Sequence, residues 1–276
     1  MNMGAQCFKV DNDIVRQKLE KQIGVRICPF KTVDSTSVNN HRAHKAVFYK
    51  QQDILWKVHE SLSSFEHYNY IYALEGGEQF LLKPHMNIKI DKMLYATSMD
   101  LGKYDMFTFI QYSFNWKYIQ KLLLNVANGI HWLHKQNIVH RDIKLENIII
   151  IDNTAKISDF DFSKPDELQN NYCGTRYYIP TKMPKNLSLK RADIYAFGKI
   201  LCVIFQRAVE HKQIFRSDAK DLLKLFYNHY TPLHYTHTLT GSWKIWADIC
   251  LECCAKIPPL KIPSINTFQT INTLNI

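Results

Sequence analysis

The run His140-Arg141-Asp142-Ile143-Lys144-Leu145-Glu146-Asn147, followed by Asp159-Phe160, constrains this chain more than any other feature. It places a candidate general base, a lysine able to face phosphate, an amide and a second carboxylate in the order that metal-assisted phosphoryl transfer needs. Fixed identities at about one in twenty each give this pattern odds on the order of 10⁻⁹ per starting point. The surroundings say how the loop is held. Residues 116–135 repeat apolar side chains at helical spacing (Ile119, Leu122, Leu123, Val126, Ile130, Leu133), and 148–151 and 155–157 read as short strands on either side of a turn. The polar run therefore sits between a long amphipathic helix and a hairpin.

The order and spacing resemble the catalytic signature of eukaryotic-type protein kinases, H-R-D-x-K-x-x-N followed by D-F-x. The resemblance implies an α+β, bilobal fold over residues 1–276. A small antiparallel-sheet N-lobe with one helix would span 1–101, and a larger, mostly helical C-lobe would span 102–276. It also implies ATP and Mg2+ as cofactors. Asp142 would orient the attacking hydroxyl, Lys144 would steady the transferred phosphoryl group, and Asn147 and Asp159 would hold the metal through oxygen ligands. Lys144 two positions beyond Asp142, with Thr175 in Cys173-Gly174-Thr175, resembles the serine/threonine branch, so the expected partner is a protein with a Ser or Thr acceptor. Asp193 in Asp193-Ile194-Tyr195-Ala196-Phe197-Gly198 matches the buried aspartate that anchors the loop, a feature that small-molecule phosphotransferases generally lack.

The rest of the chain is consistent with that layout. Strands are expected at 24–33, 45–50, 88–90 and 93–99, and Ser63-Ser64-Phe65-Glu66 is a capping-box pattern for a helix closing at Gly76-Gly77. Further helices are expected at 192–205, 217–227 and 242–254. By resemblance, Met99 is the gatekeeper of a hinge containing Asp100 and Gly102, and Asp105 is a ribose contact. Lys50 is assigned to the α- and β-phosphates with Glu66 as its ion-pair partner, and Glu66 through Leu74 to Gly76-Gly77 resembles the corresponding helix and turn of casein-kinase-like enzymes; the rival assignment pairs Lys57 with Glu75. Gly24 and the segment Phe30 to Val33 resemble the two ends of a glycine-rich loop. That loop is short of glycine, and Pro29 has no amide hydrogen to offer a phosphate.

Other departures concern regulation. Asp161 stands where D-F-G has glycine, Thr181 where A-P-E has glutamate, and Ile262 where its arginine partner is expected. Tyr172, Thr175 or Ser163 are candidate phosphorylation sites with Arg141 receiving the phosphate; alternatively Asp166-Glu167 supplies standing negative charge. Residue bias and the degenerate glycine loop resemble kinases of large DNA viruses. The same defects motivate a second reading, a pseudokinase acting as a binding or scaffolding module.

Composition excludes little more. The net charge of +10 comes from dispersed lysines in a chain rich in Lys, Asn, Ile and Tyr, so nucleic acid is not expected as the main partner. No apolar run reaches membrane-spanning length and no signal-peptide pattern is visible, so an intracellular setting is expected. The 7 cysteines are scattered, and Cys250-x-x-Cys253 lacks a second pair to complete a zinc site, so free thiols are expected.

Overall fold

The computed structural model describes residues 12–35, 44–59, 62–92, 94–166, 173–180, 184, 187–225 and 237–262. The first part contains helix α1 (Asn12–Ile23), strands β1 (Cys28–Ser35), β2 (His44–Gln51) and β3 (Ile54–His59), helix α2 (Leu62–Ala73), and strands β4 (Met86–Asp91) and β5 (Leu94–Asp100). The strands form one antiparallel sheet in the order β1-β2-β3-β5-β4.

Strand β3 shows why this sheet has two different faces. Side chains alternate along a strand, so Trp56 and Val58 point one way and Leu55, Lys57 and His59 the other. Trp56 and Val58 join Val47, Tyr49 and Ala96 in an apolar cluster closed by Val15 and Leu19 of α1. The opposite face looks toward α2, whose Phe65, Tyr68 and Ile71 are buried at helical spacing. Helix α1 is not among the expected elements. Its apolar stripe, Val15, Leu19 and Ile23, is narrow within a charged segment, and the sheet it covers stabilises it more than its own composition does. Helix α2 begins at Leu62, so Ser63 lies inside it and not at its cap.

The second part holds β6 (Tyr104–Asp105), α3 (Met106–Tyr112), α4 (Trp116–Lys135), β7 (Ile138–Val139), β8 (Ile148–Ile151), β9 (Thr154–Ile157), β10 (Lys164–Pro165), α5 (Lys190–Glu210), α6 (Lys220–Lys224) and α7 (Gly241–Cys253). The chain thus has a kinase-type architecture, an antiparallel-sheet lobe followed by a helical lobe. Helix α4 buries the expected stripe from Ile119 to Leu133. Helix α5 is buried on nearly every side from Asp193 to Phe205 and packs against α7. Cys250 and Cys254 meet Cys202 in that contact, with Sγ–Sγ separations of 3.5 and 4.0 Å, and the described cysteines are free thiols. None of the described helices is long and apolar enough to cross a membrane.

The stretch after α2 ties the lobes together. Leu82 N donates to Ile157 O, and Ile157 N donates to Phe80 O, each at 2.8 Å. Strand β9 therefore carries the sheet lobe on one side and leads into Asp159 on the other.

Candidate active site

A single buried carboxylate fixes the start of the catalytic loop. Asp193, on the first turn of α5, is 1% exposed. Its oxygens accept from His140 N at 2.9 Å and Arg141 N at 2.8 Å, and His134 Nε2 lies 2.9 Å away. The two backbone amides leave β7 in a geometry no strand partner can satisfy, because Arg141 adopts φ +70°. Buried N–H groups require acceptors, and Asp193 supplies them. His140 is also buried; its Nε2 donates to Ser158 O at 2.9 Å and its ring packs edgewise on Phe160. The loop is held from below by α5 and from the side by the exit of β9.

Asp142 is the centre of the next layer. Its carboxylate accepts from Lys144 Nζ at 2.7 Å, Thr175 N and Thr175 Oγ1 each at 2.9 Å, and Asn147 Nδ2 at 3.1 Å. Lys144 Nζ also donates to Thr175 Oγ1 at 3.0 Å, closing a triangle. Four donors on one carboxylate fix its orientation. Thr175 reaches it because Gly174, at φ +116°, passes beside Arg141; a Cβ at Gly174 would lie 2.3 Å from Arg141 O. The Asn147 amide nitrogen is directed to Asp142, leaving Oδ1 as the atom able to meet a cation.

Across the cleft, Lys57 of β3 is 3% exposed. Its Nζ lies 2.6 Å from Asp159 Oδ1, 2.8 Å from Asp161 Oδ1 and 3.1 Å from Tyr68 Oη. Burial works against the ammonium, and the Asp159 and Asp161 carboxylates override it, raising the Lys57 pKa well above its ordinary value. Burial likewise opposes ionisation of Asp159, but Lys57 prevails and holds that carboxyl at about 2. His59, buried beside Lys57, is pushed well below the ordinary histidine range and is neutral near pH 7.

The Asp159 shift has a stability consequence with a definite sign. A folded-state pKa of about 2 against an ordinary 3.8 means that the ion pair stabilises the fold above about pH 4. That contribution fades as pH falls toward 2. In urea unfolding, the stability gap between wild type and Asp159→Asn should therefore narrow across that window; a gap that stays constant contradicts the assignment.

The lysine assignment from sequence is corrected by this geometry. Lys50 lies one residue before the end of β2, pairs across the sheet with Leu55 and is exposed. Glu66 is exposed on α2, and Glu75 is exposed beyond that helix, so neither expected lysine–glutamate pair forms. Lys57 is the lysine that meets Asp159, and it does so from the strand at the middle of the sheet. Gly24 is corrected as well: its N donates to Glu20 O at the end of α1, and β1 starts only at Cys28. The β1–β2 connection is residues 36–43, outside the described residues; the sequence there contains no glycine.

The hinge region is assembled with some roles altered. Met99 is buried on β5, and Leu101 N donates to Asp53 O at 2.7 Å. The Asp100 carboxylate turns to His85 Nε2 at 2.7 Å, and Gly102 lies against Ile149. Asp105 caps α3, accepting from Thr108 N at 2.7 Å and Thr108 Oγ1 at 2.9 Å, so its oxygens already have partners.

The proposed regulatory residues fare differently. Ser163 is buried and the Thr175 hydroxyl faces Asp142, so neither offers an exposed acceptor. Asp166 bonds Ser188 Oγ at 2.7 Å and Leu189 N at 2.9 Å, while Arg141 donates to Cys173 Sγ. Tyr172, Glu167 and Thr181 lie outside the described residues, and Ile262 packs against the core.

Sequence reasoning did not single out Tyr68, and it noted Asp161 as the residue in place of the D-F-G glycine, not as a partner of the lysine. The usable signal was the alternation Leu55-Trp56-Lys57-Val58, a lone cation between apolar neighbours. For a hard divalent cation, the Asp159 carboxylate, 34% exposed, and Asn147 Oδ1 supply an oxygen-only donor set, which fits magnesium.

Comparison with known proteins agrees with the architecture. A 29% identical stretch of 157 residues, 51% of this chain and 14% of the relative, matches a probable LRR receptor-like serine/threonine-protein kinase of Arabidopsis thaliana. An Aurora kinase of Schizosaccharomyces pombe is 28% identical over 43% of this chain and 35% of its own length. A dual serine/threonine and tyrosine protein kinase of Homo sapiens is 35% identical over 37% of this chain and 11% of its own length. The matched stretches span only about a third or less of these curated relatives. The family model for the protein kinase domain covers residues 33–257. With that match over most of its length, and with this loop and lobe arrangement, the chain belongs to the protein kinase family.

Proposed function

We propose that the protein is an active serine/threonine kinase, transferring the ATP γ-phosphate to Ser or Thr hydroxyls of a protein substrate with Mg2+. The observation that carries this is the closed triangle of Asp142, Lys144 and Thr175, which holds one carboxylate and one ammonium side by side. Asp142 would accept a hydrogen bond from the attacking hydroxyl and hold its oxygen toward the phosphorus. Lys144 would place positive charge beside the transferred group, where charge accumulates in the transition state. Lys57 would hold the α- and β-phosphates. Asn147 and Asp159 would bind magnesium, which when present neutralises phosphate charge and orients the leaving group. The domain reading that goes with this function is one kinase domain over 1–276, divided near 101, in an intracellular setting compatible with the buried free thiols. The departures at Asp161, Thr181 and the β1–β2 connection support a divergent member, of the kind found in large DNA viruses.

A pseudokinase scaffold is the second reading, favoured by the absence of glycine from residues 36–43. Two measurements separate them. Mg-ATP should raise the melting temperature, because a ligand that binds only the folded state stabilises it, and generic protein substrates should gain phosphoserine or phosphothreonine. No melting shift and no phosphoamino acid above background would leave the scaffold reading.

A further inference from the structure

Lys57 takes no carboxylate from α2. The α2 side chain that meets it is Tyr68, a neutral phenol at 3.1 Å, while Glu66 of the same helix is exposed. The second negative charge beside Lys57 comes from Asp161, two residues past Asp159, at 2.8 Å and with its side chain 12% exposed. We propose that Asp161 is the standing counterion of Lys57, so that the phosphate-binding lysine is positioned by the segment following Asp159 and not by a carboxylate on α2.

The inference rests on the kinase reading above and deepens it. A buried ammonium needs a compensating anion. In the structure as it stands Lys57 has two, but Asp159 is also the proposed magnesium ligand. When the Asp159 oxygens turn to a cation, Lys57 keeps one nearby carboxylate, that of Asp161. The segment is well placed to hold it. The Asp161 carbonyl accepts from His67 Nδ1 of α2 at 2.8 Å, and Phe160 is fully buried, edge-on to Tyr68. His59 Nδ1 lies 3.8 Å from Asp161 Oδ1, and the imidazole is neutral, so it does not compete with Lys57 as a cation. Asp161 is thereby a positioning residue acting through Lys57. Its control differs from that of a helix glutamate, because displacing α2 alone would not remove the counterion.

The test compares wild type, Asp161→Asn and Asp161→Glu by two readouts. The first is the rate at which Lys57 is acylated by an amine-selective reagent at fixed pH, quantified by mass spectrometry. Without the Asp161 carboxylate the Lys57 amine keeps only Asp159 and Tyr68 as partners and leaves its buried contacts more often. Asp161→Asn should therefore label Lys57 several-fold faster, and Asp161→Glu at close to the wild-type rate. The second is KM for ATP, which should rise about tenfold in Asp161→Asn through loss of a charge-assisted contact, with kcat changed less, and recover in Asp161→Glu. Lys199, buried in the helical lobe, is the internal reference for unfolding. An unchanged Lys57 labelling rate overturns the proposal, as does a rise shared by Lys199 or an unchanged KM in an active enzyme. Wild-type protein that transfers no phosphate refutes the kinase reading instead, and the labelling comparison still decides the role of Asp161.

Discussion

Replacing Asp142 by alanine should lower kcat for phosphotransfer by about 10²–10⁴-fold and leave the Mg-ATP melting shift in place. The expectation follows from where the side chain's partners lie. The side chains of Lys144, Thr175 and Asn147 converge on this carboxylate. Alanine removes the group that orients the hydroxyl and also leaves Lys144 without its anion, so two contributions are lost together. The nucleotide side of the cleft, Lys57 with Asp159 and Asp161, makes no contact with Asp142 in the described hydrogen-bond network and should still respond to Mg-ATP. Activity within about tenfold of wild type, in a variant that melts normally, would remove Asp142 from the mechanism.

The second large effect separates two lysines. Lys57→Met should reduce kcat/KM for ATP by about 10²–10³-fold, the usual cost of deleting one preorganised charge donor, whereas Lys50→Met should stay within about twofold because surface charges contribute little. Methionine keeps most of the Lys57 stem and removes only the ammonium. It also leaves Asp159 and Asp161 facing each other without their cation, so part of the loss will appear as reduced stability. A melting curve read beside the kinetics apportions it. Equal effects at the two positions would show that burial beside Asp159 does not decide which lysine serves the phosphates.

The contrast between these lysines also shows how far the sequence could be read. The loop from His140 to Asn147 was legible because its geometry depends on local spacing, and the side chains of Lys144 and Asn147 meet Asp142 within a few residues. The helix 116–135 and the strands beside the loop were legible from periodicity alone. Lys57 was harder. Its role depends on which strand lies at the middle of the sheet, and the turn at Gln52, with φ +51°, was not recognised as closing a β2–β3 hairpin. Both lysines sit on the same face of that hairpin, so facing alone does not separate them. Strand order does. The contact of Asp161 was hidden for a related reason: its partner, Lys57, lies far away in the chain. Gly24 was misplaced because a charged segment with a narrow apolar stripe hid α1, and a glycine after a helix was taken for one before a strand.

Helix α1 has a practical meaning for anyone cutting this chain. The family match begins at residue 33, after α1 and most of β1 have passed. A fragment trimmed to that boundary would keep Val47, Tyr49, Trp56 and Val58 but lose Val15 and Leu19, which cover them. An apolar face with two aromatic rings would then be open to water, a surface that invites self-association. The sheet lobe of this kinase is a filling between two helices, and its natural edge lies upstream of where family resemblance would draw it.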